Sequence, residues 1–466
     1  MFGFFDSRPP VELTTIEGKT VFGRGYSLDD PTKKRVQVLL PDEDRKRHMW
    51  VFGTTGVGKT RVMENMIEQD IRKGYSVAVF DPKGDIELFS KIAQVAFEEG
   101  REEDLMLVTP IFPELSARID PLRYFATPEE LAGHIVSGVT VGKEPYFSNV
   151  AYDLSLSIVQ ALVLLSKYSG EDPEFNLDEV KKYITHKGLD SLKSQVQVID
   201  TPELIKQARD IIQDIDRILE NEKDYFNKIS NSLAVALREL TTGNIGAVIG
   251  KADMNRFVER LEQNKPVILV VQPGSLLMRR AAYTAGKVLV SMIQAMVGRK
   301  YASGKKLTPC LCIYLDEAQS LIYPGIDEMF SKAGSANVSV HGFCQSLSQL
   351  YAAIGKDYSK SIMDNTNTRI FMRVPDLETA TYIADHFGDK TVWSPFLSLD
   401  GSGSVSARDD KIPVIEASEI TELKPRVAYM FTYSGRWKLR TADVSELWLD
   451  VIFPELKTRA DSQGEG

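Results

Sequence analysis

The eight residues Gly53-Thr54-Thr55-Gly56-Val57-Gly58-Lys59-Thr60 carry glycines, a lysine and a hydroxyl residue at the spacing G-x-x-x-x-G-K-T. Such a stretch binds phosphate. Its glycines let successive backbone N–H groups converge on phosphate oxygens, and the helix that follows adds the positive end of its dipole. Lys59 would meet the β- and γ-phosphates as a point charge, and Thr60 would ligate Mg²⁺. Met49-Trp50-Val51-Phe52 reads as a strand and Arg61 to Ile67 as a helix, which is the context the motif requires. All eight residues are therefore candidate ATP contacts.

A second constellation lies about 250 residues downstream. The apolar run Leu311-Cys312-Ile313-Tyr314-Leu315 ends in Asp316-Glu317. After a P-loop, a buried strand ending in two carboxylates supplies one acid, Asp316, to hold Mg²⁺ through water, and another, Glu317, to polarise an attacking water. The strand Val338 to Phe343 ends near Gln345, where an amide can sense the γ-phosphate or merely cap a helix. Asp81-Pro82-Lys83-Gly84-Asp85 closes the apolar strand Tyr75 to Phe80. Its carboxylates lie either where ligands bind in open α/β sheets or in a plain turn. Thr368 to Val374 reads as a strand with Arg369, Phe371 and Arg373 on one face and Ile370, Met372 and Val374 on the other. An arginine there is either a finger reaching a neighbour's γ-phosphate or part of a surface salt bridge.

The elements that must position these residues are strands with helices between them, an α/β pattern with a mainly parallel sheet. The chain has 466 residues, enough for a large domain with an insertion. Residues 1–126 read as an N-terminal β segment and the first part of a nucleotide-binding domain. Residues 127–261 read as an all-α insertion, residues 262–456 as the second part of the nucleotide-binding domain, and 457–466 as a disordered tail. Thr127-Pro128 and Thr201-Pro202 look like helix starts. Phe22-Gly23-Arg24-Gly25-Tyr26 reads as a turn, Arg45-Lys46-Arg47-His48 as a solvated turn, and Leu399 to Asp410 as a mobile loop. Leu13 to Ile16 and Val36 to Leu40 are short strand candidates, and Val427–Phe431 with Trp437–Arg440 form a hairpin. The stripe Ala282, Ala285, Leu289, Met292 and Met296 belongs to a core helix.

A net charge of −9 excludes a protein that coats DNA by bulk positive charge, so any contact with DNA needs local basic surface. Cys310, Cys312 and Cys344 form no metal or disulfide pattern, which fits a reducing cytosol. No signal peptide is apparent. Leu154 to Leu165, broken by Ser155, Ser157 and Gln160, reads as a buried core helix rather than a membrane span.

With these pieces in order, the chain resembles the FtsK–HerA branch of P-loop motor ATPases. More closely, it resembles the TraD/TraG-type coupling proteins of conjugation and type IV secretion. The resemblance rests on Phe22 to Tyr26, Gly53 to Thr60, Asp81 to Asp85, Ile119-Asp120-Pro121-Leu122, Leu315-Asp316-Glu317-Ala318, Gln345 to Leu350 and Asn367-Thr368-Arg369-Ile370. It implies a RecA-like motor domain with an all-α domain, assembled as a homo-hexamer and hydrolysing ATP with Mg²⁺. Its implied cargo is single- or double-stranded DNA with a relaxase, or an effector protein, delivered to type IV secretion channel proteins at the inner membrane. It further implies that Lys59 and Thr60 bind phosphate and Mg²⁺, that Asp316 and Glu317 act as the Walker B pair, and that Gln345 is the sensor. Arg369 is the first choice for the finger and Arg373 the second. The chain departs from most of the family in lacking N-terminal transmembrane helices and an extended acidic C-terminal tail. The expected location is cytoplasmic, peripheral to the inner membrane through partners. A soluble HerA-like translocase of repair or defence and a docking receptor with slow turnover are the alternatives.

Overall fold

The computed structural model describes residues 15–139, 145–220, 223–253, 255–397 and 405–456. The strands are β1 Lys19–Ser27, β2 Val36–Pro41, β3 Met49–Phe52, β4 Ser76–Phe80, β5 Leu105–Val108, β6 Ile268–Val271 and β7 Leu311–Leu315. They continue with β8 Val338–Cys344, β9 Thr368–Phe371, β10 Asp389–Leu397, β11 Val405–Pro413, β12 Val427–Thr432 and β13 Gly435–Thr441. Eleven of them form one sheet in the order β2-β1-β13-β12-β9-β3-β8-β7-β4-β6-β5, and β10 pairs with β11. The seven from β9 to β5 run parallel. The other four extend the sheet antiparallel.

The parallel strands are buried along nearly their whole length and mostly apolar, because helices cover both faces. Met49 and Val51 of β3 point into one cluster, with Val77 and Val79 of β4 and with Met63, Met66 and Ile67 of the Lys59–Arg72 helix. Trp50 and Phe52 point the other way, onto a cluster holding Ala285, Leu289, Met292 and Met296 of the Ser275–Ala302 helix. The expected methionine stripe is thus core. That same cluster runs on into the helices between β5 and β6. There the described residues form helices and turns, with Pro128–Ser137, Pro145–Ser169, Leu177–Tyr183, His186–Val196, Ile205–Leu219, Lys223–Thr241 and Arg256–Glu262 the main helices. Thr127 is the N-cap with proline in the first turn, as expected. The helix after Thr201-Pro202 starts three residues later, at Ile205, because Pro202 to Leu204 form a turn closed by Leu204 N–H on Thr201 O at 3.0 Å. Asn149–Ser169 is long and apolar enough to cross a membrane by length and composition, with mean hydropathy 1.4, and 56% of that window is buried inside the protein. Leu154, Ile158, Val159 and Ala161 lie in the core.

Several expectations need correction. Phe22 to Tyr26 is not a turn but part of β1, which pairs with β13 from the far end of the chain. Gly23 and Gly25 are needed because a Cβ there would sit 2.0 Å from Arg440 O and 2.2 Å from Lys438 O. Arg45 and His48 are buried, at 1% and 2% exposure. The strand at Thr368 ends at Phe371, and Val374 packs with Phe371 rather than with Ile370 and Met372. Val405 to Asp410, read as loop, belong to β11 paired with β10, while 398–404 lie outside the described residues. The strand call at Leu13 and Thr14 and the tail at 457–466 also fall outside them.

Arg45 sits under the sheet in an ion pair with Asp70 of the Lys59–Arg72 helix, Nη1 to Oδ1 at 2.6 Å and Nη2 to Oδ2 at 2.7 Å. It also donates to Thr20 Oγ1 at 2.7 Å and to Tyr314 Oη at 3.0 Å, and lies 3.2 Å from His341 Nε2. Burial pushes the Asp70 carboxyl up, but Arg45, Lys73 and the Tyr314 hydroxyl outweigh it and hold the group well below the usual carboxylate range. Removing one partner strands a buried charge, so Asp70→Ala is expected to lower stability by about 3–5 kcal/mol at neutral pH. A depressed folded-state pKa contributes stability above the unfolded value of about 4, and this is lost as the pH falls towards the folded value. Urea melts of wild type and Asp70→Ala should therefore converge below pH 4; a constant gap would contradict the ionic origin.

Candidate nucleotide site

The P-loop leaves β3 at Gly53 and turns into the Lys59–Arg72 helix through Gly58, which has φ +105°. Three backbone hydrogen bonds hold it from three sides. Gly53 N–H donates to Cys344 O of β8 at 3.2 Å, Thr54 N–H to Arg373 O beyond β9 at 2.9 Å, and Arg426 N–H to Val57 O at 2.9 Å. Gly53 has no room for a side chain, since a Cβ would lie 2.9 Å from Met372 Cβ and from Val57 Cγ2. Thr55 and Gly56 are exposed, Val57 is buried, and Thr54, Gly58, Lys59 and Thr60 are half-buried. The loop is thus a braced cradle open to solvent at its tip.

Lys59 folds back over this cradle, donating to Gly53 O at 2.6 Å and Thr54 O at 3.1 Å. Burial lowers its pKa, and Asp316 and Glu317 counter this, so the three groups share one electrostatic environment. Asp316 and Glu317 follow β7, two strands away from β3. Burial pushes the Asp316 carboxyl up to about 6, against the pull of Lys83. Gln345 follows β8, which lies between β3 and β7, so its backbone leaves the sheet between the cradle and the carboxylates. Its backbone N–H is held by Gln349 Oε1 at 3.3 Å. The expected elements therefore converge at the carboxyl ends of β3, β8 and β7, where open α/β sheets bind ligands.

The residues fit a magnesium nucleotide. Among the described residues no group of three or more His, Cys, Asp or Glu is placed to hold a metal. Thr60 and Asp316 offer two hard oxygen donors, which suits an ion that keeps waters and takes its other ligands from phosphate. The buried Asp316 carboxylate gains a counter-charge when such an ion is present.

Asp81 turns out to organise a turn. It is fully buried and accepts from Lys83 N–H at 3.0 Å, Asp85 N–H at 2.5 Å and Gln272 Nε2 at 3.0 Å. Asp85 in turn caps the Ile86–Glu98 helix. The first choice for a trans finger does not fit this structure. Arg369 is 7% exposed, and its guanidinium donates to Met363 O and lies against His386 at 2.9 Å within the same chain. Arg373 is exposed and borders its own chain's cradle. Sequence reasoning missed Lys83, Gln272 and Arg426. The first two close apolar strands and were legible as polar residues at the ligand-binding edge. Arg426, held at φ +66°, had no such signal.

Comparison with known proteins agrees with this geometry. The model of the central domain of the helicase HerA matches residues 30–272, more than half of the chain. The chain belongs to the HerA central-domain family. A second model, the TraM recognition site of TraD and TraG, matches residues 310–425, in keeping with a TraD/TraG-type coupling protein. The Type 4 coupling protein DotL of Legionella pneumophila is 22% identical over 423 residues, covering 80% of this chain and 52% of that protein. The chain thus spans about half the length of this curated relative. The unbound bacterial conjugative coupling protein TrwB matches with a TM-score of 0.67 at 15% identity over 89% of each chain. TrwB in complex with ADP and Mg²⁺ matches with a TM-score of 0.65 at 16% identity, over 96% of this chain and 98% of that one. The shared fold is a RecA-like, mostly parallel α/β sheet with a helical part.

The burial of Arg369 and exposure of Arg373 separate their roles. Arg369→Ala is expected to lower thermal stability by about 1–3 kcal/mol, while Arg373→Ala should shift it by less than about 0.5 kcal/mol. Differential scanning fluorimetry of the two variants checks this; equal shifts would contradict the packing described.

Proposed function

We propose that the chain is an ATP-hydrolysing motor that couples DNA–relaxase or protein cargo to a type IV secretion or conjugation channel. The observation that carries the reading is the convergence of the braced Gly53–Thr60 cradle with Asp316, Glu317 and Gln345 at one edge of the sheet. In this reading the cradle and Lys59 bind the phosphates of ATP, and Thr60 and Asp316 hold Mg²⁺, which neutralises developing phosphate charge. Glu317 is the base that orients water, and Gln345 fixes that water against the γ-phosphate. The match to the TraM recognition site and the name of DotL support coupling over plain translocation. So do the helices of residues 127–261, which we take as an inserted all-α domain. The nucleotide and Mg²⁺ in the TrwB complex support the choice of ligand.

A homo-hexameric ring at the inner membrane, with cargo in its pore, is the assembly that goes with this function. Arg373 is then the better candidate for contact with a neighbour's nucleotide, because Arg369 is occupied inside its own chain. The HerA match keeps a HerA-like DNA translocase of repair or defence as the second reading.

Two measurements test the proposal. Steady-state ATPase with Mg²⁺ should rise with single-stranded DNA, and Glu317→Gln should lower kcat by about 10²-fold or more while nucleotide binding persists. Stimulation by duplex DNA alone would favour the translocase; no DNA effect and no loss in Glu317→Gln would sink the motor. Sedimentation with an ATP analogue and DNA should show a hexamer.

A further inference from the structure

Both carboxylate oxygens of Glu317 are engaged by donors from its own chain. Oε1 lies 2.7 Å from Lys83 Nζ, and Oε2 accepts from Gln319 Nε2 at 3.0 Å. Lys83 Nζ is also 3.9 Å from Asp316 Oδ2. A general base needs a lone pair aimed at the proton it will take. Here the stronger of the two contacts is a charge-assisted bond. Glu317 also stands at φ +47°, a left-handed conformation that a residue with a side chain adopts only when its surroundings impose it.

We propose that the Lys83–Glu317 ion pair is a latch that keeps the base out of service, and that Lys83 is a positioning residue restraining hydrolysis. This rests on the reading of Glu317 as the base. The pair can open, because the Lys83 side chain is 49% exposed and that of Glu317 18%, so solvent screens their attraction.

The mounting of Lys83 says what would open the latch. Its turn is bolted down by buried Asp81, which takes hydrogen bonds from Lys83 N–H, Asp85 N–H and Gln272 Nε2. Gln272 Nε2 also donates to Asp85 O at 2.9 Å. Backbone bonds tie this unit to its neighbours, Asp81 N–H to Val271 O and Gln272 N–H to Val108 O among them, and the one that joins Pro82 itself to the next helix is Ser275 N–H to Pro82 O at 2.6 Å. Ser275 begins the Ser275–Ala302 helix, whose fourth residue, Met278, departs from helical geometry at φ −130°, ψ 45°. The first residues of this helix can therefore shift against its body. A shift at Ser275 reaches Pro82, and through Pro82 the lysine that holds Glu317.

The test compares the purified full chain as wild type, Lys83→Met, Lys83→Arg and Glu317→Gln. Lys83→Met should raise basal kcat by roughly two- to fivefold, the range a partly exposed ion pair can hold back. KM and the affinity for a fluorescent ADP analogue should stay unchanged, and Lys83→Arg should behave as wild type. A readout apart from turnover is the rate at which acetic anhydride modifies Lys83 without nucleotide, followed by mass spectrometry. Glu317→Gln should raise that rate relative to exposed Lys356. Unchanged or lower kcat in Lys83→Met, or a Lys83 labelling rate indifferent to Glu317→Gln, would overturn the latch and leave the ATPase reading standing. Equal turnover in wild type and Glu317→Gln would overturn the ATPase reading, and the latch with it.

Discussion

The Arg45–Asp70 pair adds a directional, buried link between parts of the chain that the sheet ladder and the apolar core also hold together. Arg45 precedes β3, Asp70 lies near the end of the P-loop helix, and Tyr314 and His341 belong to the strands that lead to Glu317 and Gln345. His341 completes the set by placing Nδ1 3.0 Å from Ile313 O, which leaves Nε2 to accept from the guanidinium. The helix Lys59–Arg72 has 14 residues, about 21 Å at 1.5 Å per residue, so it acts as a rigid bar. One end of the bar forms the phosphate cradle and the other is pinned beneath the strands that carry the carboxylates. A buried ion pair contributes little net stability over an apolar substitute. What it contributes here is orientation of the cradle relative to β7 and β8.

That orientation matters because the chemistry is spread over strands that are distant in sequence. In a parallel sheet all strands end on the same edge, and the helices that follow them begin there. Placing β8 between β3 and β7 puts Gln345 between Lys59 and Asp316 without any long side chain having to reach. The hydrogen bonds from Gly53 and Thr54 to Cys344 and Arg373 then set the cradle by its neighbours' backbones. Backbone contacts of this kind do not depend on rotamers, so the cradle is preorganised before any phosphate arrives.

The same facts explain what could be read in the sequence. Strands buried on both faces are mostly apolar, so β3, β4, β6, β7 and β8 stood out, and the residues closing β3 and β7 carried the site. The helices between β5 and β6 showed through their amphipathic periods. The pairing of β1 with β13 did not, because glycines that admit a strand from more than 400 residues away look locally like turn residues. Arg45 looked solvated for the same reason: its partner Asp70 is 25 positions on, and a charge run carries no mark of burial. Arg369 could be placed on a strand but not exposed or covered, since His386 lies on a later helix. Local pattern reveals elements, while long-range pairing decides which charged groups remain free.

The Ser275–Ala302 helix links the sheet edge that carries the carboxylates to the helical part. Along its length Arg280 and Thr284 bind Glu239, Gly138 lies against Thr284 and Val288, and Ser291 meets His134. Arg299 pairs with Glu130 near its end, while its start is tied to Pro82. A Cβ at Gly138 would lie 3.0 Å from Thr284 Cγ2 and from Val288 Cγ2, so the glycine lets the two helices pack tightly there. Close-packed contacts transmit displacement because they have no slack to absorb it. The helix touches both regions, and its one departure from helical geometry, at Met278, lies three residues from Ser275, so the tie to Pro82 sits on the short side of that break and the contacts with the helical part on the long side.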